Sequence, residues 1–233
     1  MGSDIIRVTI GIQARSNSSR FPKKIFQTIG NKTVIDHVID ACLSSARYLN
    51  AHADKSKIST KVVLLCPLGD DISETSRIPV VQGDPNDVLS RYVCMADKFN
   101  SDYIVRITGD CPLIPPPVIT AHINKCVRND LDYLSNVGQD RVSIDGHDCE
   151  IFSRHLLDWL DEHSEEEELR EHVTILAREN PPEWARTGHV VGYADLSKIK
   201  LSLDTPKDLD IIKDHFNKIT NLIEDENHEV HRF

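Results

Sequence analysis

The chain has 233 residues, 39% of them hydrophobic, and a formal net charge of −10. That length supplies the core of one large α/β domain or two small ones, and the acidic balance argues against nucleic acid as a bulk partner. No apolar run approaches the roughly 20 residues that span a bilayer, and Met1-Gly2-Ser3-Asp4 lacks the basic start and long apolar stretch of a signal peptide, so a cytoplasmic protein without a membrane partner is expected.

Apolar runs alternate with helical patterns along the chain, which predicts an α/β fold with a mostly parallel sheet covered by helices. Ile5 to Ile12 reads as the first strand. It runs into the loop Gln13-Ala14-Arg15-Ser16-Asn17-Ser18-Ser19-Arg20-Phe21-Pro22-Lys23-Lys24, whose cations and serines suit a polyphosphate far better than a core. Val34, Val38, Ile39, Cys42 and Ala46 then place one apolar stripe on a helix, and Asn50 to Thr60 reads as a surface connection. Lys61 to Cys66 and Pro79 to Val81 are predicted strands, Asp87 to Phe99 a helix, and Tyr103 to Ile107 the next strand. That strand ends in Thr108-Gly109-Asp110-Cys111-Pro112, so a carboxylate lands at the edge where open α/β sheets bind ligands.

After a helix from Val118 to Arg128 the pattern changes. Tyr133 to Val137 and Cys149 to Phe152 read as strands within an excursion at about 131–180, and Ser164 to Glu179 as one helix with an acidic first turn. Gly188 to Ala194 and Ile199 to Leu203 read as the last strands, and Leu209 to Ile223 as the last helix, entered through Asp204-Thr205-Pro206. Nothing marks a linker or a repeat, so residues 1–233 read as one domain. The six cysteines lack any Cys-x-x-Cys spacing and read as reduced thiols, Cys111 included.

Asp110 and Asp204 each follow an apolar strand and precede a turn that contains proline. Brought to one sheet edge, they could hold Mg²⁺, which takes one or two carboxylates and fills its remaining positions with water and phosphate oxygens. Each is otherwise a plain turn or cap residue. Together with the basic loop they make the set of groups needed for phosphoryl or nucleotidyl transfer. Asp87 and Arg91, beyond the turn Gly83-Asp84-Pro85-Asn86, either face a base edge or serve the helix start. Arg106, a cation within an apolar strand, is either paired structurally or reaches a substrate.

The loop pattern Gln-Ala-Arg…Ser-Ser-Arg-Phe-Pro-x-Lys, the segments Gly83 to Tyr92 and Arg106 to Leu113, and Arg170-Glu171-His172-Val173-Thr174 resemble the cytidylyltransferases of the spore-coat polysaccharide SpsF type. Those are relatives of the enzymes that make CMP-KDO and CMP-neuraminate, and the likeness runs from about Ile5 to Ile212. It implies a Rossmann-like three-layer α/β/α nucleotidyltransferase fold of the nucleotide-diphospho-sugar transferase type. The implied reaction takes CTP and an acidic sugar to a CMP-sugar and pyrophosphate with Mg²⁺, in a homodimer. Arg15, Lys24, Asp110 and Asp204 match its catalytic residues, with Asp110 and Asp204 as metal ligands. Ala14, Arg15, Ser19, Arg20, Lys24, Asp87, Arg91, Thr108, Gly109 and Asp110 match its nucleotide contacts. Arg106, Asp145, Glu150, Arg170 and His172 match the region that cradles the sugar, where Arg170 would pair with a carboxylate and His172 would orient the attacking hydroxyl. The chain departs from the pattern at Lys23, where a glycine is common, and at Thr33, where a proline is common. Two rivals remain open: transfer from another nucleotide or to a sugar 1-phosphate or phosphonate, and a non-catalytic nucleotide-binding module.

Overall fold

Strand β1 (Ile6–Gln13) has its even-numbered residues Val8, Ile10 and Ile12 wholly buried, the burial expected of a strand at the centre of a sheet covered on both faces. In a computed structural model that describes residues 5–138, 141–190 and 194–230, the side chains of 55, 56 and 222–230 excepted, β1 stands between β4 (Ile58–Pro67) and β6 (Tyr103–Thr108). The intervening elements are a 3-10 turn (Lys24–Phe26), a small antiparallel pair of β2 (Thr28–Ile29) and β3 (Lys32–Thr33), α1 (Val34–Ala51), α2 (Ala53–Ser56), α3 (Ile72–Thr75), β5 (Val80–Gly83) and α4 (Val88–Phe99). The full sheet order is β5-β4-β1-β6-β8-β7-β9.

Register fixes what the sheet edge presents. Gln13 lies beside Leu65 on β4 and beside Thr108 on β6, so three parallel strands end at one level. The chain leaves β1 towards β4 and β5 on one side and returns to β6 on the other. This reversal opens a crevice at the strand ends where α/β proteins bind ligands. Helices α1 and α5 (Pro116–Arg128) cover one face, over Val8, Ile10, Ile12, Val105 and Ile107. On the other face α4 packs Leu89, Tyr92 and Met95 against Val63, Leu65 and Ile104.

Beyond α5 the sheet continues through β7 (Tyr133–Ser135) and β8 (Glu150–Ser153), with β8 antiparallel to both β6 and β7. Helix α6 (Arg154–His163) follows, capped by Ser153, whose hydroxyl accepts from the Leu156 N–H. The sequence reading has no helix there, although the cap and Leu156, Leu157 and Leu160 on one face carry the signal. The single helix expected from Ser164 to Glu179 is two, α7 (Glu167–His172) and α8 (Ile175–Glu179), broken at Val173. Strand β9 (Thr187–His189) pairs with β7, and the expected strand through Ala194 includes Val191, Gly192 and Tyr193, which lie outside the described residues. Ile199 to Leu203 forms one bridge, Lys200 to Asp145, instead of a strand. The last helix, α9 (Pro206–Val230), is longer than expected and packs Leu209 and Ile212 on Ile29 and Val34.

Thr33 caps α1 by accepting from the Asp36 N–H, which explains how the chain does without a proline there. Five cysteines are buried and Cys94 is exposed, all of them free. Burial pushes the Cys111 thiol well above its ordinary value, which suits packing and not nucleophilic attack. Among the described residues no helix is long and apolar enough to cross a membrane.

Candidate active site

The basic loop is rooted by backbone hydrogen bonds. Ala14 N–H donates to Leu65 O at 2.9 Å and Gly109 N–H donates to Gln13 O at 2.8 Å. The approach is so close that a Cβ at Gly109 would stand 2.7 Å from Ala14 Cβ, so only glycine fits. The loop then folds on itself, with Ser16 N–H donating to Asp70 Oδ2 at 2.9 Å and Lys23 N–H to Ser16 O at 3.0 Å. Lys23 takes φ 55°, ψ 28°, a left-handed conformation that explains why glycine suits this position. Asp70 is a support that its sequence setting gives no reason to pick out.

Lys24 follows, and its ammonium is the hub of the site. Nζ donates to Asp110 Oδ2 and to Leu203 O, both at 2.6 Å, and lies 3.5 Å from Asp204 Oδ1. Arg20 Nη2 donates to the same Asp204 oxygen at 2.9 Å, and Lys200 Nζ lies 3.0 Å from Asp204 Oδ2. Burial alone would raise the Asp204 pKa, but the hydrogen bond from Lys200 and the charges of Lys24, Lys200 and Arg20 outweigh it and hold the carboxyl below its usual value. Two carboxylates from distant parts of the chain thus meet at one point, joined also by Leu203 N–H donating to Asp110 O at 2.9 Å. Their oxygen-only chemistry fits a hard divalent cation, and no group of three or more His, Cys, Asp or Glu able to hold a metal occurs among the described residues. A cation held by Asp110 and Asp204 would therefore take its other ligands from water and phosphate, as Mg²⁺ does.

A cleft of about 210 Å³ opens over this centre. Ala14, Arg15, Ser19, Arg20 and Lys24 line it from the first loop, and Thr108, Gly109 and Asp110 from the end of β6. Arg91, His172 and Asp204 complete the predicted residues found there. Gln13 and Glu171 line it as well, and Glu171 reaches across the mouth to within 3.8 Å of Arg15. Both stand inside motifs already singled out, so their positions were legible and their roles were not.

Five predicted residues are placed elsewhere. Asp87 caps α4 by accepting from Ser90 N–H at 2.8 Å, and its other oxygen accepts from Arg170 Nε at 2.6 Å. Arg170 also donates to Asp161 Oδ1 at 2.8 Å, so the guanidinium expected to grip a substrate carboxylate holds protein carboxylates instead. Arg106 and Glu150 form a buried pair at 2.6 Å, and Glu150, 1% exposed, also accepts from Tyr133 at 2.6 Å and Thr174 at 2.7 Å. Asp145 pairs with Arg141 at 3.4 Å and joins the bridge to Lys200. Except for the part-exposed Asp145, these placements share a cause: a charged residue in a buried strand or at a helix contact is neutralised locally.

The Glu150 network reaches the cleft through one turn. Val173 has φ 61°, ψ −56°, and Thr174 N–H donates to His172 O at 2.6 Å, a γ-turn of the strained kind. Val173 is fully buried, and Thr174 is fastened to Glu150, so the turn sets where Glu171 and His172 stand. Along the same sheet edge, past the ends of β7 and β9, lies a second cleft of about 880 Å³ lined by Ser135, Arg141, Arg178 and His189. His189 Nε2 is buried there with no partner among the described residues.

A family model described as "Cytidylyltransferase" matches residues 9–230. The chain belongs to the cytidylyltransferase family. It is 30% identical to a cytidylyltransferase of known structure from Leptospira borgpetersenii, with a TM-score of 0.76 over 89% of this chain and 85% of that one. It is 27% identical to the spore coat polysaccharide biosynthesis protein SpsF of Bacillus subtilis, over 89% of this chain and 85% of that protein. A CMP-2-keto-3-deoxy-manno-octonic acid synthetase solved with CTP shares the fold, with a TM-score of 0.62 at 15% identity over 91% of this chain and 99% of that one. The cytidylyltransferase is accordingly a CTP-dependent nucleotidyltransferase, on the sheet of the nucleotide-diphospho-sugar transferases.

Proposed function

We propose that this cytidylyltransferase moves CMP from CTP to an acidic sugar of the nonulosonic or octulosonic type, releasing pyrophosphate, in the synthesis of a surface polysaccharide or glycan. The convergence of Asp110 and Asp204 on Lys24, beneath a loop carrying Arg15 and Arg20, is the observation that carries it. Arg15, Ser19 and Arg20 hold the β- and γ-phosphates, and Lys24, already between the two carboxylates, reaches the phosphate nearest them. Mg²⁺ held by Asp110 and Asp204 would neutralise charge on the α-phosphate. The acceptor hydroxyl attacks the α-phosphorus in line, His172 orients it, and no covalent enzyme intermediate is needed. The second cleft, lined by Arg141 from the loop after β7, Arg178 of α8 and His189 at the end of β9, takes the acidic acceptor. The enzyme works in the cytoplasm as a homodimer joined through the 131–180 segment, which a molecular mass measured in solution tests.

Pyrophosphate release is to be measured with each of the four nucleoside triphosphates, Mg²⁺ and a panel of acidic sugars and sugar 1-phosphates. Release with CTP and an acidic sugar, abolished by EDTA and restored by Mg²⁺, is expected. Turnover with a sugar 1-phosphate alone would overturn the acceptor class, and turnover with UTP or GTP but not CTP the nucleotide.

A further inference from the structure

Asp204 meets three cations of the chain, and they divide between its two oxygens. Oδ1 accepts from Arg20 Nη2 at 2.9 Å and lies 3.5 Å from Lys24 Nζ. Oδ2 lies 3.0 Å from Lys200 Nζ. Arg20, Lys24 and Asp204 line the cleft, and Lys200 is not among its lining residues. A triphosphate in the cleft therefore meets the cations on Oδ1 and leaves the one on Oδ2 alone.

The place of Lys200 is fixed at both ends of its side chain. Asp145 N–H donates to Ile199 O at 3.0 Å and Leu201 N–H donates to Asp145 O at 2.6 Å, while a Cβ at Gly146 would stand 2.6 Å from the Leu201 carbonyl carbon. This clasp pins the backbone on either side of Lys200. At the far end Asp208 Oδ2 lies 3.1 Å from the ammonium, and it also accepts from the N–H groups of Asp204 and Thr205 at 3.0 and 2.7 Å. Asp208 thus holds the Lys200 head and the Asp204 backbone together.

Asp110, Asp204 and Asp208 bring three negative charges and Arg20, Lys24 and Lys200 three positive ones, so the protein balances this cluster by itself. A bare divalent cation adds two positive charges to a balanced cluster. A triphosphate brings negative charge of its own and offers Arg20 and Lys24 new partners, which uncovers Oδ1 on the side of Asp110.

On the reading of Asp110 and Asp204 as the metal ligands, we propose that Lys200 is a positioning residue for the metal. It reserves Oδ2 of Asp204, so that a cation is met by Oδ1 alone, and it offsets part of the carboxylate charge, so that the cation is held firmly only in company with a triphosphate. Without Lys200, Asp204 turns both oxygens to the cation and draws it away from Asp110. Metal affinity and turnover then move in opposite directions.

The test measures Mn²⁺ binding without nucleotide, from the electron paramagnetic resonance signal of the free ion, for the wild type, Lys200→Met, Lys200→Gln and Lys200→Arg. Lys200→Met should bind Mn²⁺ about 3–10-fold more tightly than the wild type, the effect of one partly exposed charge. Its turnover at saturating Mg²⁺ should fall by about 10–100-fold, the usual effect of losing a group that orients a metal ligand, with Tm little changed. Lys200→Gln, which keeps a donor and loses the charge, should also tighten Mn²⁺ and gives the answer should Lys200→Met fail to fold. Lys200→Arg should stay close to the wild type in both readouts. Mn²⁺ affinity that is unchanged in the two neutral variants, or that weakens along with turnover and Tm, would overturn the inference and leave Lys200 a purely structural residue. The reading on which it rests is tested apart, by calorimetric binding of inorganic tripolyphosphate to the wild type: affinity that is equal with Mg²⁺ and with EDTA removes the metal site itself.

Discussion

Lys24 Nζ lies 2.6 Å from Asp110 Oδ2, so the residue that closes the basic loop is held by a carboxylate just beyond the end of β6. The same ammonium also reaches Leu203 O, which locks in the segment carrying Asp204. Asp110→Asn removes the charge but keeps the shape and leaves Lys24 its contacts with Leu203 and Asp204. Turnover should fall by about 10²–10³-fold, the usual loss of a preorganised electrostatic group, with only a small change in Tm. Steady-state pyrophosphate release and thermal unfolding of the same preparation check it, and unchanged turnover would remove Asp110 from the metal site.

Arg170 ties α7 to α4 through Asp87 and to α6 through Asp161. Arg170→Gln should cost about 2 kcal/mol, as for hydrogen bonds to charged groups, and raise the nucleotide KM, because α7 carries Glu171 and His172. A substrate-gripping Arg170 would instead raise the acceptor KM alone and leave Tm unchanged. Separate titrations of the two substrates distinguish these outcomes.

Glu150 is buried with Arg106, and removing its charge strands the arginine. Glu150→Gln should destabilise by about 3–5 kcal/mol. Burial by itself would raise the Glu150 pKa, but Arg106 and the hydroxyls of Tyr133 and Thr174 hold it below the ordinary value of 4.5. A depressed folded-state value means that the stabilisation is fully present above about pH 4.5 and declines as pH falls through the lower folded-state value. Urea unfolding of wild type and Glu150→Gln across pH should therefore show a constant gap at neutral pH that narrows only in acid. A gap that narrows as pH rises would contradict the ion pair.

Lys23 is held in the left-handed region at φ 55°. Relieving that conformation with glycine, set against the greater freedom of glycine in the unfolded chain, should gain about 0.5–1 kcal/mol. Lys23→Gly should raise Tm by a few degrees, read by calorimetry. A lower Tm would mean that the Lys23 side chain makes a contribution larger than the backbone strain.

Much of the site was legible because its chemistry is carried by local patterns. A strand followed by a loop of cations, and two apolar segments each ending in aspartate before a proline turn, point to the site and its charges by period and position alone, although only the segment before Asp110 is a strand of the sheet. Residues whose partners are distant in sequence were not legible. Arg170 and Asp87 are 83 residues apart and Arg106 and Glu150 are 44 apart, and no spacing rule says that they neutralise each other. The break at Val173 was equally hidden, since a β-branched residue gives no reason to expect a positive φ; the turn stands because Val173 is buried and Thr174 is bound to Glu150.

The sequence by itself determined the α/β class, the basic loop and Asp110 beyond the end of β6, because these follow from the period of apolar residues and the chemistry of short motifs; it picked out Asp204 but expected a strand before it where the structure has one bridge. Only the tertiary structure decided that Lys24 joins Asp110 and Asp204, that Arg170 and Glu150 are tied up within the protein, and that Gln13 Oε1 and Arg91 Nε are buried without a partner among the described residues. Charge is written locally, but whether a charge is free for a ligand depends on which neighbours the fold brings within about 3 Å of it.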